Sequence, residues 1–461
     1  MPSKEFSGPI QIDKHGRARI KTSKGFLTLI PYPAGASMSI KEMEVMGKML
    51  FQYFNNQQVK ISGELSGNRL FNAHLAESRL AIKDVNLAPQ GHDKVRDKFL
   101  SAIEQYFKKD SQHITAKLNL AGITTVSALY HRVKNYPPEV DAFSRYLKVP
   151  RDAIKQFLEA IDADQSNRAL VAAFPRYPVT RGVNLARISR AIGVPVKKHA
   201  LATPPPFPDS AKTPKLPSRV MLTKKLTKVK DQGPFRGTCV AHTAAALLEF
   251  ELIYNGLATR KLDLSEQYLY WACKQIDGAQ NDEGTFIEYA MKVLLDGVKE
   301  EYPGGVCKEQ DWPYNTVSIT GNQSQGPPPA KATKVMKGQK GRIYTISGAT
   351  DLKATSIKDL KGALADNHCV GLSVYTYHFW TDHYTWREGI ISLPFRIKPD
   401  GAHAICLVGY KDNDSTHSDG YFIFKNSWGR NWGAGRPDPG FGSLPYRYVL
   451  TEGIEAWCAN V

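Results

Sequence analysis

Residues 231–250 read DQGPFRGTCVAHTAAALLEF. A Gln-Gly pair, a Gly-Xaa-Cys and then an alanine-rich apolar run make a specific physical arrangement. The run predicts a helix through Leu247 and Phe250, with Cys239 in its first turn. The partial positive charge at a helix N-terminus stabilises a thiolate there. Gly237 permits the tight backbone approach just ahead of it. Gln232, on the incoming loop, can aim its side-chain amide at the same point as the Cys239 backbone N–H. Two donors converging on one point describe an oxyanion hole.

A thiolate nucleophile needs a base, and the base needs something to orient it. Downstream stands GAHAICLVGY, residues 401–410, an apolar strand carrying His403 between Ala402 and Ala404. Further on is YFIFKNSWGRNWG, residues 421–433, a second apolar strand ending at Asn426, Ser427 and Trp428. An asparagine amide oxygen accepts from one imidazole nitrogen and leaves the other facing the sulfur. Trp428 would cover that bond and keep water from it.

With these blocks in hand, residues 216–461 resemble the papain-like cysteine peptidases, the papain and cathepsin superfamily. The order Cys, His, Asn is the one that family uses. LPSRVMLTKKLTKVKDQG resembles the start of the mature enzymes, and LSEQYLYWAC, DEGTFIEYAMKVLLDGV and VCKEQDWPY resemble the segments that follow the nucleophile. NHCVGLSVYTYHFW and GIISLPF resemble the second lobe ahead of the histidine. The resemblance implies Cys239 as nucleophile, His403 as general base and acid, Asn426 as orienter and Gln232 as oxyanion donor. It also implies a substrate cleft lined by Gly284, Ala404, Leu372 and Trp428. It calls for no cofactor and no metal. The fold it implies is α+β, a helical lobe against a β-barrel-like lobe.

The sequence departs from that pattern in places. Gln232 and Cys239 are seven residues apart, one more than the common spacing, so the loop between must bulge. Arg236 and Gly237 stand where the family carries a disulfide cysteine, which leaves Cys273 without its habitual partner. Val240 replaces the aromatic that normally follows the nucleophile. His242 reads as a helix residue against the core. Cys273, Cys307, Cys369, Cys406 and Cys458 show no metal-ligand spacing and read as structural thiols.

Working outward, the 461 residues suit two or three domains. Six cysteines are too few for a disulfide scaffold, and the opening residues lack the apolar core of a signal peptide, so a reducing cytoplasm is expected. No stretch approaches the roughly 18 apolar residues of a membrane helix. The net charge of +17 is uneven: residues 1–200 hold 31 Lys+Arg against 17 Asp+Glu, and residues 251–461 hold 22 against 24. A basic front and a near-neutral back suggest two jobs in one polypeptide.

The expected divisions are a small β module over 1–90, a helical accessory module over 91–201, a proline-rich linker over 202–218 and the peptidase-like domain over 219–461. Short alternating runs, PIQID, GRARIK, GFLTLIPYP, QQVKISGEL and NRLFNAHLA, with a helix interposed at 39–54, fit a small β-barrel of OB type. Residues 92–165 change to a helical period, with breaks at Gly122, Pro137-Pro138 and Pro150. LAGITTVSAL there faintly resembles a helix-hairpin-helix. TGNQSQGPPPAKATKVMKGQK, 320–340, reads as a surface crossing between two lobes. The whole then reads as an intracellular thiol peptidase acting on a protein or peptide. Its basic front either binds nucleic acid or another acidic partner, gates the active site, or serves as a scaffold. A thiol acyl transferase or amidase with the same triad and an inactive papain-like binding module are the rival readings.

Overall fold

The alternating runs at the front form five strands: β1 (Ser3–Ile12), β2 (Ala18–Thr22), β3 (Gly25–Leu29), β4 (Gln58–Ser66) and β5 (Arg69–Glu77). They close into a barrel in the order β1-β2-β3-β5-β4, with β3 and β5 parallel and the other pairs antiparallel. Ala18, Ile20, Leu29 and Leu70 are buried inside it. Gly8 is needed where β1 crosses β2, because a Cβ there would stand 1.8 Å from the Lys21 carbonyl oxygen. The computed structural model describes residues 3–13, 17–29, 58–66, 68–77, 114, 117–118, 121–123, 126–135, 137–163, 216–234, 236–298, 301–319, 321–395, 398–412, 419–433 and 436–461. The helix expected at 39–54, the front of the helical stretch expected over 92–165 and most of the proline-rich linker lie outside those residues.

Three amphipathic helices follow: α1 (Val126–Asn135), α2 (Pro137–Leu147) and α3 (Arg151–Ala163). Pro137 and Pro150 mark the starts of α2 and α3, as expected of residues that fit a first helical turn and break a helix interior. Leu129, Val133, Phe143, Ile154 and Phe157 form their shared apolar face.

From residue 216 two lobes develop. The alanine-rich run is α4 (Cys239–Tyr254), buried along nearly its whole length. A helix apolar on every side belongs inside a core. Against it pack α5 (Glu266–Ile276), started by the Ser265 hydroxyl accepting from the Tyr268 N–H, and α6 (Ile287–Asp296). The segment expected as a surface crossing instead carries α7 (Ala330–Met336), which buries Ala332, Val335 and Met336. The chain then passes through β7 (Gly348–Leu352), α8 (Ile357–Ala365), β8 (Val370–Thr376), α9 (His383–Glu388), β9 (Gly401–Lys411), β10 (Tyr421–Lys425), β11 (Phe441–Pro445), α10 (Tyr446–Glu452) and β12 (Gly453–Asn460). These strands form an antiparallel sheet in the order β11-β10-β9-β8-β12-β7. The short β6 (Arg219–Met221) adds to β9. Gly409 admits it, since a Cβ there would stand 2.4 Å from the Val220 carbonyl oxygen. Helices α4–α7 form one lobe and the sheet with its interleaved short helices the other, the α+β arrangement of the papain-like fold.

Candidate active site

The site lies where the two lobes meet. Cys239 is the first residue of α4, from the helical lobe. His403 lies in β9 opposite Val374 of β8, and Asn426 follows β10, from the sheet lobe. A β-bulge between Ile423 and Phe424 shifts β10 against β9 just before Asn426. Bulges of this kind re-aim a side chain near a site.

Asn426 Oδ1 stands 2.8 Å from His403 Nε2 and also accepts from the Ser427 N–H at 2.8 Å. A single acceptor therefore meets the protonated Nε2, so the tautomer is fixed and Nδ1 points the other way. Cys239 and His403 line one pocket with Val240, Thr285, Phe286, Ser373, Ala402, Ala404, Ile454 and Glu455; it has room for about one water, ≈ 10 Å³. The Trp428 ring lies over His403 with centroids 4.5 Å apart, and Trp380 meets the same imidazole edge-on at 6.0 Å.

The incoming loop is sewn to the Asn426 strand. Asp231 and Trp428 form an isolated bridge, and Gln232 N donates to Ser427 O at 2.8 Å. The Gln232 side chain accepts from Ser427 Oγ at 2.7 Å and donates through Nε2 to the Arg236 carbonyl at 2.9 Å. An amide nitrogen carries a second hydrogen. Within the lengthened Gln232–Cys239 spacing the Gln232 amide thus reaches the Arg236 carbonyl.

Arg236 is what sequence reasoning missed here. It is fully buried and donates to Gln267 Oε1 and the Asn315 carbonyl, both at 2.7 Å, and to the Gln323 carbonyl at 3.0 Å. Tyr270 and Tyr314 flank its guanidinium. An arginine network ties the nucleophile loop to the rest of its lobe where the family's pattern has a cysteine. The six cysteines are all free and buried.

Burial pushes the Cys239 thiol up to about 11, while backbone N–H groups of Ala404 and Val240 pull it back. Burial thus favours the protonated sulfur. His242 is buried with Nδ1 3.0 Å from the Thr238 carbonyl, and burial pushes it down to about 3. It is a neutral core residue, as expected.

The cleft residues divide. Ala404 lines the pocket beside His403. Leu372 does not: it is buried against Ile405 and Ala456, and its neighbour Ser373 lines the pocket in its place. Gly284 sits in a left-handed turn at φ +83°. Its N–H donates to Tyr270 Oη at 3.0 Å and its carbonyl accepts from Lys274 Nζ at 3.1 Å, so the fold engages both groups. Trp428 roofs the imidazole instead of lining the pocket. Among the described residues, no cluster of three or more His, Cys, Asp or Glu could hold a metal ion. No helix among them is long and apolar enough to cross a membrane.

With this geometry in view, comparison with known proteins is informative. Residues 216–436 match the papain family cysteine proteases. The chain carries a papain-family cysteine protease domain. A curated relative, an uncharacterized peptidase C1-like protein of Acanthamoeba polyphaga mimivirus, is 27% identical over 241 residues, covering 51% of this chain and 69% of that protein. Procathepsin L of Felis catus is 28% identical over 226 residues, covering 47% of this chain and 58% of its own length. The chain spans about half the length of several other curated relatives it matches. Among solved structures, xylellain, a cysteine protease from Xylella fastidiosa, is 25% identical, with 56% of this chain and 90% of that one covered and a TM-score of 0.44. The protease domain matched by sequence contains Cys239, His403 and Asn426 alike.

Proposed function

We propose that this protein is an intracellular thiol peptidase that hydrolyses peptide bonds through Cys239, His403 and Asn426. One observation carries the reading: Cys239 and His403 share a pocket while Asn426 Oδ1 holds the Nε2 face of the imidazole. The Cys239 proton passes to His403 Nδ1, and the sulfur attacks the substrate carbonyl carbon. The carbonyl π pair moves to oxygen, where the Cys239 N–H and the Gln232 amide meet it. Collapse of the adduct breaks the C–N bond, and the leaving amine takes the proton from Nδ1, leaving a thioester. Water then gives a proton to Nδ1 and attacks the thioester, and the acid product leaves as the thiol reforms.

Free, buried cysteines throughout the protease domain support a reducing compartment. The basic front half is read as a targeting region for nucleic acid. The closed five-stranded barrel supports this, because OB-type barrels bind oligonucleotides across strands 2 and 3. The test of the activity is peptide hydrolysis by the full chain beside Cys239→Ala. Hydrolysis is expected from the first only, with an epoxysuccinyl thiol reagent labelling Cys239. Hydrolysis that survives loss of Cys239 overturns the assignment. Transfer to an added amine in preference to water would move the reading to an acyl transferase.

A further inference from the structure

Arg132, in α1, has a side chain only 2% exposed, in a half of the chain whose basic residues otherwise read as surface. Its Nε and Nη2 donate to the Glu139 carboxylate. Nη1 donates to Ser392 Oγ at 2.6 Å, and Nη2 to the Leu393 carbonyl at 2.9 Å. The Phe379 ring lies 3.7 Å from the guanidinium carbon, with Phe143 and Phe395 at 6.0 and 5.8 Å. Four of the five N–H donors are thus directed, two of the bonds crossing from the helical module into the protease domain. Glu139 is fully buried, and burial raises its carboxyl above the usual range although Arg132 pulls it down. His378 Nε2 approaches the same carboxylate at 3.5 Å. Burying an ion pair is costly, and what such a pair can return is one defined arrangement of the groups around it.

The arrangement it defines is that of residues 378–395. Leu393 N donates to Ala121 O at 2.9 Å, and the Phe395 ring packs on Phe143 and Tyr146 with centroids 4.4 and 4.9 Å apart. The same segment supplies the aromatic roof of the active site. Trp380 donates through Nε1 to Tyr448 Oη at 2.7 Å and meets the His403 and Trp428 rings. Trp386 stacks on Trp428, 10° from parallel and 6.0 Å away. Trp428 in turn covers His403. None of the module's described residues lines the Cys239 pocket, so the module acts on the site from behind.

We propose that the α1–α3 module is a fixed part of the catalytic unit and that Arg132 is a positioning residue. It pins the 378–395 segment so that Trp380, Trp386 and Trp428 hold the His403 ring in register with Cys239. The proposal rests on the peptidase reading above, which the Cys239→Ala comparison tests separately. A misplacement of about 1 Å remote from the chemistry can cost a hundredfold in rate. In the full chain, Arg132→Met, checked for folding by circular dichroism, should lower kcat about tenfold to a hundredfold with KM nearly unchanged. The rate at which iodoacetamide alkylates Cys239 at neutral pH should fall with it, a readout that a merely structural role would leave alone. Arg132→Lys, which keeps the charge without the fork, should recover part of kcat. If Arg132→Met does not fold, Ser392→Ala decides: loss of one bond should lower kcat about threefold in a folded protein. A folded Arg132→Met with wild-type kcat and alkylation rate overturns the proposal. So does an increase in kcat, which would make the module a restraint, or an unchanged kcat in Ser392→Ala when Arg132→Met is unfolded.

Discussion

In the proposed mechanism His403 carries the proton transfer and Asn426 only holds the ring, and that asymmetry can be measured. His403→Ala removes the proton acceptor and should abolish turnover. Asn426→Ala leaves the imidazole under Trp428, with its Nε2 bond at 2.8 Å lost, and should cost less. Single-turnover rates with a chromogenic peptide separate the two; equal loss in folded variants would give Asn426 a larger part than orientation. His242 makes a stability prediction with a definite sign. Burial holds its folded-state value near 3, against about 6.5 for an unfolded imidazole. Below pH 6.5 the unfolded chain therefore takes up a proton that the folded chain refuses. Its stabilising contribution is fully present above about pH 6.5 and is lost as pH falls toward 3. Between pH 6.5 and 5 the loss should be roughly 1.5 kcal/mol. Urea unfolding at the two pH values, wild type beside His242→Gln, should show that much less acid sensitivity in the variant.

At the scale of elements, the nucleophile loop depends on Arg236. Its three acceptors lie on α5 and on the 315–323 stretch, so it joins pieces that are remote in sequence. Arg236→Met leaves the buried Gln267 Oε1 and two half-buried carbonyls without their donor and should destabilise the protein by about 3 kcal/mol. It should also lower kcat, because the Gln232 amide closes on the Arg236 carbonyl. Arg236→Lys should rescue little, since a single ammonium cannot reach all three acceptors. Urea midpoints and kcat check this; a rescue by lysine to wild-type values would make the site a simple charge requirement. Neither Arg236 nor Arg132 was legible in the sequence. A lone arginine in a chain with 61 basic residues reads as surface, and only tertiary neighbours reveal its burial. Cys239, His403 and Asn426 were legible because each stands at a helix start or strand end inside an apolar run. Leu372 shows the limit of such reading. Side chains alternate across a strand, so an offset of one residue exchanged the buried face for the pocket face where Ser373 stands. The helix over 330–336 was hidden because the three prolines at 327–329 drew attention to a crossing, while Ala332, Val335 and Met336 carry the helical spacing just beyond them.

At the scale of the molecule, the barrel and its charge set the last expectation. Lys21 of β2 pairs with Phe26 of β3, and both are exposed, Phe26 at 39%. An exposed aromatic ring beside a lysine is the pairing that single-stranded nucleic acid uses, a base stacked on the ring and a phosphate at the ammonium. Each neutralised phosphate releases counterions, so the logarithm of the affinity should fall linearly with the logarithm of salt concentration. Stacking on one aromatic is worth about 1–3 kcal/mol, so Phe26→Ala should weaken binding of a labelled oligothymidine about tenfold with the salt slope kept. Lys21→Gln should instead reduce that slope, since it removes a phosphate contact and leaves the ring. Fluorescence anisotropy of the full chain at two salt concentrations measures both effects. Peptide hydrolysis should be unchanged in either variant, because neither residue contributes to the Cys239 pocket or to the Arg132 contacts. Binding that ignores salt, or that survives both substitutions intact, would remove nucleic acid as the partner of this face and leave an acidic protein surface as the chemistry to test.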